Sequence, residues 1–582
     1  MLKDLHRIYA VKNSLASTFQ TGKVVAHWLL LALAPFSAMA QPTSLPLQSP
    51  ANHLIDRLEI LHRGSSAVHT DVRGYWRNDA AHLALKLDTA NILLSRRDRC
   101  DVQYLANDNN EWIPDSNRLM QYSRRSFLKT FYKTPANLYE VNSKYFKLRI
   151  NPMVNFHLGR ETNDAELLFM NQRGVELRGE VDRTVFFYTN LVETQARFPG
   201  YVTDRVNEFL AVPGAGFFKN YTSSIFKIRN SYDFNVATAY VGFQVSRHIG
   251  IQLGHGQHFI GNGYRSMLLS DFANPQFFLK ISTRVWRLHY QNLFLELSPV
   301  SQVQIPDGTV LPKKYAAIHY LSFKASPRFS VGVFEATVLN RSRQFEFQYL
   351  NPVIFYRTVE GMIGSPDNVL LGLNTKYNVW KSVQLYGQFL LDEFTLSKFF
   401  SGRGWWANKY SIQAGAKYLN VLDIDHLDLQ VEYNSARPYT YAHGDPYDSY
   451  THYNQPLAHP LGANFREFIG MVRYQPSAGI VLSARVIHAV TGENSATENW
   501  GSNPLLSYDT RVRDYDNLIG QGVSGTINLF GLDASWMFHH NIFFDIKLLM
   551  RRKNSADDPR DQDTNVLAAG IRMNLWHQSL DF

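Results

Sequence analysis

The chain has 582 residues and a formal net charge of +9, and its single cysteine, Cys100, excludes an intramolecular disulfide and a cysteine-based metal cluster. Past the N-terminal region no apolar run reaches the roughly 18 residues that a membrane-spanning helix needs. Yet aromatic residues make up 14% of the chain (31 Tyr, 38 Phe) at a mean hydropathy of −0.25, a combination that suits strands burying every second side chain in lipid.

In chain order, the first feature is an export signal. Lys3, Arg7, Lys12 and Lys23 give a positive n-region, Trp28 to Ala34 an apolar stretch too short to span, and Ala38-Met39-Ala40 a small-residue cleavage site before Gln41. Residues 1–40 are therefore expected to be a signal peptide. They carry four Lys/Arg and one Asp, +3 of the total +9, which leaves +6 for the mature part. Residues 41–144 follow as a small periplasmic helical region. After Pro42, Pro46 and Pro50, the segments His53–His62 and Asp79–Arg96 are predicted helical, with Leu83, Leu87, Ala90 and Leu94 on one stripe. That stripe needs a surface, which the periplasmic mouth or the interior of a barrel would supply.

From residue 145 to 582 the pattern changes to period 2. Leu427 to Asn434 alternates apolar and polar without a break, and Ile542 to Met550 sets Ile542, Phe544, Ile546, Leu548 and Met550 opposite Asp545 and Lys547. Val383, Leu385, Phe389 and Leu391 oppose Gln384, Tyr386 and Gln388, while Leu567, Ala569, Ile571, Met573 and Leu575 oppose Arg572 and Asn574. Short connections (325–328, 378–382, 474–479, 538–541) alternate with long polar ones, about 198–232, 256–276, 298–314, 341–367, 392–408, 435–466, 491–523 and 553–563. Tight turns at one end and long loops at the other predict an all-β fold: a transmembrane antiparallel β-barrel of about 18 strands with long extracellular loops, in the cell outer membrane. A soluble sandwich would share the alternation, but loops this long are unusual in a compact soluble domain.

No G-x-S-x-G, H-E-x-x-H or G-x-x-x-x-G-K-[ST] motif occurs, and no catalytic residue, metal ligand or cofactor is assigned. The expectation is a binding protein, not an enzyme. Gly254-His255-Gly256 and Gly214-Ala215-Gly216 are read as loop or bulge glycines, and the loop histidines His443, His452 and His459 match no compact ligand spacing.

Several segments resemble the Wzi-like capsule assembly family of outer-membrane proteins in its Bacteroidetes form, which includes RemB-like gliding-motility proteins. They are His53 to Ile60, Gly254 to Ser266, Asn351 to Arg357 with Gly364 to Asn368, and Asn434 through Arg437-Pro438-Tyr439-Thr440-Tyr441 to His459-Pro460-Leu461-Gly462-Ala463-Asn464. The resemblance implies an 18-stranded barrel with periplasmic helices that acts as a lectin-like surface protein in capsule assembly. Its implied partners are outer-membrane lipid, exported polysaccharide and a surface export or motility machinery, with no nucleic acid.

The residues argue for carbohydrate separately. Sugars present C–H faces and rings of hydroxyls, which aromatic platforms with Asn, Asp, Arg and His can match. The loop 435–466 supplies Arg437, Tyr439, Tyr441, His443, Asp445, His452, Tyr453 and Asn454, and a second loop supplies Arg403, Trp405 and Trp406; these are the candidate polysaccharide-binding residues. Interfacial girdling is the competing role for the tryptophans. A porin or transport channel, and a gliding-motility or adhesion component, are the alternative functions.

Overall fold

The computed structural model describes residues 43–62, 69–89, 94–223, 228–341, 346–353, 355–364, 367–576 and 579–582. The expected signal peptide, with Gln41 and Ala90, lies outside them.

The main sheet contains 20 strands. Two of them, Tyr139–Asn142 and Lys219–Ser223, are short strands paired on one side only; the other 18 form an antiparallel ring. The first ring strand, Phe146–Glu161, pairs with the last, Gln562–Met573, in a seam from Val154↔Met573 to Glu161↔Val566, which closes the barrel. Closure satisfies every ring strand on both sides and leaves no open edge in lipid.

The alternation in the sequence maps onto the two faces. Asp545 and Arg572 point inward, 1% and 6% exposed, with Arg572 Nε donating to Asp545 Oδ2 at 2.9 Å. Ile546, Met550 and Ile571, one register away, are 45%, 47% and 51% exposed on the outer wall, the side that faces lipid. Two readings change. Leu575 does not continue the outer row: the strand ends at Met573, Asn574 turns with φ 49°, and Leu575 packs inward on Met153 and Val192. Gly254-His255-Gly256 is not a loop but the end of strand Ile249–Gly256, where a Cβ on Gly254 would sit 2.2 Å from the Ala239 carbonyl oxygen.

Three helices occupy the lumen at the short-turn end: α1 (Pro50–Leu61), α2 (Arg77–Thr89) and α3 (Arg96–Asp108). The expected helix from Asp79 to Arg96 is two, because Thr89 ends α2 and Ser95 starts α3 with a capping box to Asp98. Pro50 at the first position of α1 and the Ser49 side chain accepting from the Ala51 amide fix its start. Among themselves the helices share an apolar core that includes Leu54, Ile55, Leu58, Ala84, Leu87 and Leu105. Toward the barrel they present charge. Arg57 Nη1 bonds Asp428 Oδ1 at 2.6 Å, Asp56 pairs with Lys417 at 3.0 Å, and Glu59 pairs with Lys376 at 3.3 Å. Asp98, Asp101 and His426 bring ligand atoms within 4.8 Å of one another, but Arg57 Nη2 lies 3.6 Å from Asp98, so an ion-pair network accounts for the group.

From the other end, residues 257–275 descend into the lumen. Gln388 donates to the Ile260 carbonyl at 2.9 Å, Glu432 accepts from the Tyr264 and Arg265 amides at 2.6 and 3.0 Å, and Val72 bridges to Ile260. Residues 579–582 also lie inside the barrel, where Asp581 meets Arg485 at 2.9 Å and the Phe582 carbonyl accepts from Arg551 at 2.9 Å. Between helices and wall there is a cavity of about 1350 Å³ whose sides carry Arg73, Arg473, Arg485 and Lys547 against Asp101 and Asp533.

Candidate functional site

At the long-loop end three connections, 392–409, 437–464 and 494–522, are joined by backbone hydrogen bonds into one rim. The Trp406 amide donates to the Asp514 carbonyl at 2.9 Å, Asn517 to Gly404 at 3.0 Å, Tyr439 to Gly501 at 2.8 Å and Ala463 to Ser502 at 3.1 Å. The approach of Gly501 to Tyr439 is close enough that a Cβ would lie 2.5 Å from the Tyr439 nitrogen, and φ at Gly501 is 83°, so this contact requires glycine.

The rim gathers aromatic rings and cations. Trp406 packs on Tyr508 (4.8 Å between centroids) and Trp405 on Tyr515 (5.0 Å). The Arg511 guanidinium lies 4.2 Å over Trp406, Arg403 4.4 Å over Tyr515, Arg513 5.4 Å from Trp500, and the Lys398 ammonium 5.4 Å from Trp405. Such stacking holds long cationic side chains against rings while their remaining N–H donors face water. Asp514 pairs with Arg511 at 2.6 Å, yet Arg403 and Arg513 stay exposed. The surface therefore carries guanidinium groups between ring faces, interspersed with the exposed carboxylates Asp445, Glu498, Asp509, Asp514 and Asp516.

The structure sorts the eleven candidate residues named from sequence. Arg403 and Trp405 lie on this rim, whereas Trp406, 9% exposed, is buried with Tyr439 in the cluster beneath it. His443 sits beside Tyr508 at 5.6 Å, half-buried, and its imidazole is held below its ordinary pKa by burial and then by Lys409. Asp445 is exposed and its carboxylate caps the Tyr447 amide at 2.9 Å. Arg437 donates to the carbonyls of Trp405 (3.4 Å) and Asn517 (3.2 Å), fastening two loops.

Other candidates are interior. Tyr439 and Tyr441 are 1% and 0% exposed, with their hydroxyls donating to the Asn499 and Met267 carbonyls at 2.9 Å each. Their φ values of 66° and 73° are unfavourable for a bulky residue and persist only where packing dictates them. His452, Tyr453 and Asn454 lie across the mouth: His452 accepts from the Ser298 amide (3.0 Å), Tyr453 accepts from Gln302 (2.9 Å), and Asn454 donates to the Phe209 carbonyl of α4 (Gly200–Phe209) at 2.8 Å. Burial, then Lys314, pushes His452 down to about 3, so it is a neutral acceptor here. Nearby Asp448 is pushed up to about 7 by burial and by Asp445.

Lys398, Trp500, Tyr508, Arg511, Arg513 and Tyr515 were missed by the sequence reading. The run Arg511-Val512-Arg513-Asp514-Tyr515 was the available signal, inside a loop noted only for its length.

No curated protein matches the chain. Among solved structures, Wzi of Escherichia coli, described as an outer-membrane protein involved in group 1 capsule assembly and a carbohydrate-binding β-barrel, aligns over 92% of this chain and 99% of its own at 12% identity, with a TM-score of 0.55. OprD of Pseudomonas aeruginosa covers 73% of this chain and 94% of its own at 11% identity and a TM-score of 0.40. The family described as capsule assembly protein Wzi matches residues 160–567, most of the chain and nearly all of the barrel. This outer-membrane β-barrel belongs to the Wzi capsule assembly family.

Proposed function

We propose that the protein holds exported polysaccharide at the cell surface during capsule or exopolysaccharide assembly, through the rim of the long-loop end. The observation that carries this reading is the stitched cluster of Trp405, Tyr508 and Tyr515 over the buried Trp406, with Arg403, Arg511 and Lys398 riding on its rings. Ring faces match the C–H faces of sugars, and outward guanidinium groups match hydroxyls and carboxylates. On this reading the long-loop end is extracellular, α1–α3 are periplasmic, and the chain acts as a binder rather than an enzyme. The kinship to carbohydrate-binding Wzi supports it.

A diffusion porin is disfavoured by the lumen, which is crossed by α1–α3 from one end and by residues 257–275 from the other. The narrower kinship to Bacteroidetes-type and RemB-like motility proteins rests on the sequence segments alone.

The test is calorimetric titration of polysaccharide from the producing cells into the refolded barrel, wild type and Arg403→Ala/Trp405→Ala. Loss of a central aromatic and an arginine should weaken binding by about tenfold or more, about 1.4 kcal/mol. Unchanged affinity in a variant that keeps heat-modifiable gel mobility removes the rim from the site.

A further inference from the structure

One long connection does not stay at the mouth. Residues 346–353 and 355–363, including α5 (Tyr356–Ile363), lie along the outside of the barrel. Register fixes which wall residues they cover. Ile281, Asn292, His319 and Glu335 are paired in one cross-strand row, and Leu279, Phe294, Ala317 and Thr337 in the next. These rows share the parity of Phe277, Leu321 and Val333, which are 48%, 39% and 49% exposed on the outer wall. Asn292, His319, Glu335 and Thr337 would thus be polar side chains in the lipid belt, yet they are 1%, 7%, 4% and 0% exposed. The Tyr356 ring stacks on His319 at 3.9 Å, and the Pro352 carbonyl accepts from Tyr290 Oη at 2.5 Å and from Asn292 Nδ2 at 3.4 Å.

Depth follows from strand length. Asn292 is mid-way along Leu288–Leu297 and His319 mid-way along Lys314–Phe323, each strand of 10 residues, the length that crosses a hydrocarbon core. The covering segment therefore reaches toward the middle of the bilayer. Beside the polar Gln348, Asn351 and Thr358, its exposed side carries large apolar residues: Phe347, Val353, Phe355 and Met362 are 79%, 84%, 70% and 69% exposed. In water those residues would make a costly patch, whereas here they continue the belt that Leu321 and Val333 begin. Backbone away from the strands is tolerated at membrane depth where protein buries its polar groups, which α5 and the wall beneath it do here.

We infer that segments 346–353 and 355–363 are embedded in the outer membrane, packed on the barrel wall with Val353, Phe355 and Met362 against lipid acyl chains. They seal a polar patch, Asn292, His319, Glu335 and Thr337, that lipid would not otherwise accept. The occupant of the exposed side is lipid, because the surface is continuous with the barrel's own lipid-facing rows.

The test uses the full chain with Cys100→Ser, reconstituted in phospholipid vesicles, carrying single nitroxide labels at Phe355→Cys or Met362→Cys. Val333→Cys serves as the lipid reference and Asp509→Cys as the water reference; heat-modifiable gel mobility verifies folding of each. Collision rates with oxygen and with a water-soluble nickel chelate are read from power saturation. Labels at 355 and 362 should match Val333→Cys, with high oxygen and low nickel access. Nickel access like that of Asp509→Cys would place the segment in water and overturn the inference. Low access to both reagents would mean that a protein surface covers it, and would overturn it equally. Two label sites guard against one that fails to fold.

Discussion

Arg57→Met tests how the helices are held. Arg57 is 1% exposed, and its guanidinium reaches Asp428 (2.6 Å), Asn420 (2.5 Å) and His426 (3.3 Å), with Asp98 and Asp425 each 3.6 Å away. Methionine keeps the length but leaves these acids without their shared cation. Breaking a buried pair from one side costs about 3–5 kcal/mol. Asp428 would retain His53 at 3.2 Å and the Asn420 amide at 3.2 Å, which places the loss at about 3 kcal/mol. That is about a hundredfold in the docking equilibrium. Hydrogen exchange read by mass spectrometry on the folded protein should show α1 peptides exchanging about a hundredfold faster, while strand Ile542–Ser555 keeps its protection. Adding Asp428→Leu should recover only the share owed to Asp428, since Asp98 and Asp425 remain. Unchanged protection of α1 would refute the reasoning, and so would loosening of the strand in step with it, because plug and wall would then open as one unit.

Two further outcomes can be checked. Ile546→Arg places a charge on the outer wall and should cost about 2–4 kcal/mol in urea refolding if it lies near the midplane, whereas Lys547→Gln, one residue on and facing the lumen, should be far milder. Equal losses would shift the register by one. Asp448 carries its proton to about pH 7 in the fold against an ordinary aspartate value of 3.8, so the folded loop binds more protons than the unfolded one between these values. Loop stability is then full below about pH 4 and falls as pH rises through 7. Limited proteolysis of 437–464 should be faster at pH 8 than at pH 5, and Asp448→Asn should abolish the difference.

Much of the barrel was legible because period 2 is local. Asp545 and Ile546 announce their faces by their neighbours alone. Most connections fell where the sequence pattern put them, but the one expected over 553–563 is short, because its strands run to Ser555 and restart at Gln562. Leu575 was misread because nothing local marks the left-handed turn at Asn574 that ends the row. Asn292, His319 and Glu335 spoiled the apolar parity of their strands, and the reason, a cover formed by Pro352 and Tyr356, lies well downstream in the chain. At the mouth, composition named Trp405 and Tyr439 alike, but only tertiary packing separates an accessible ring from one 1% exposed beneath it. The stacked arginines of the rim were missed because Arg511 and Arg513 gain meaning only when their loop lies over Trp406 and Trp500.

The division of labour within the plug bears on how the molecule is assembled. Its apolar contacts are almost all among residues 45–119, so the three helices can bury that core before any strand exists. Its polar contacts reach across the chain instead: the Arg57–Asp428 ion pair spans 371 residues and the Tyr104–Asn541 hydrogen bond spans 437. Until the barrel closes, Arg57, Asp56 and Glu59 can stay hydrated at no desolvation cost, and they lose water only when the wall arrives. A preformed helical body that recognises a late-made barrel by charge should find it faster at low ionic strength. It also gives a nascent outer-membrane protein a soluble, partly folded front end rather than a greasy one.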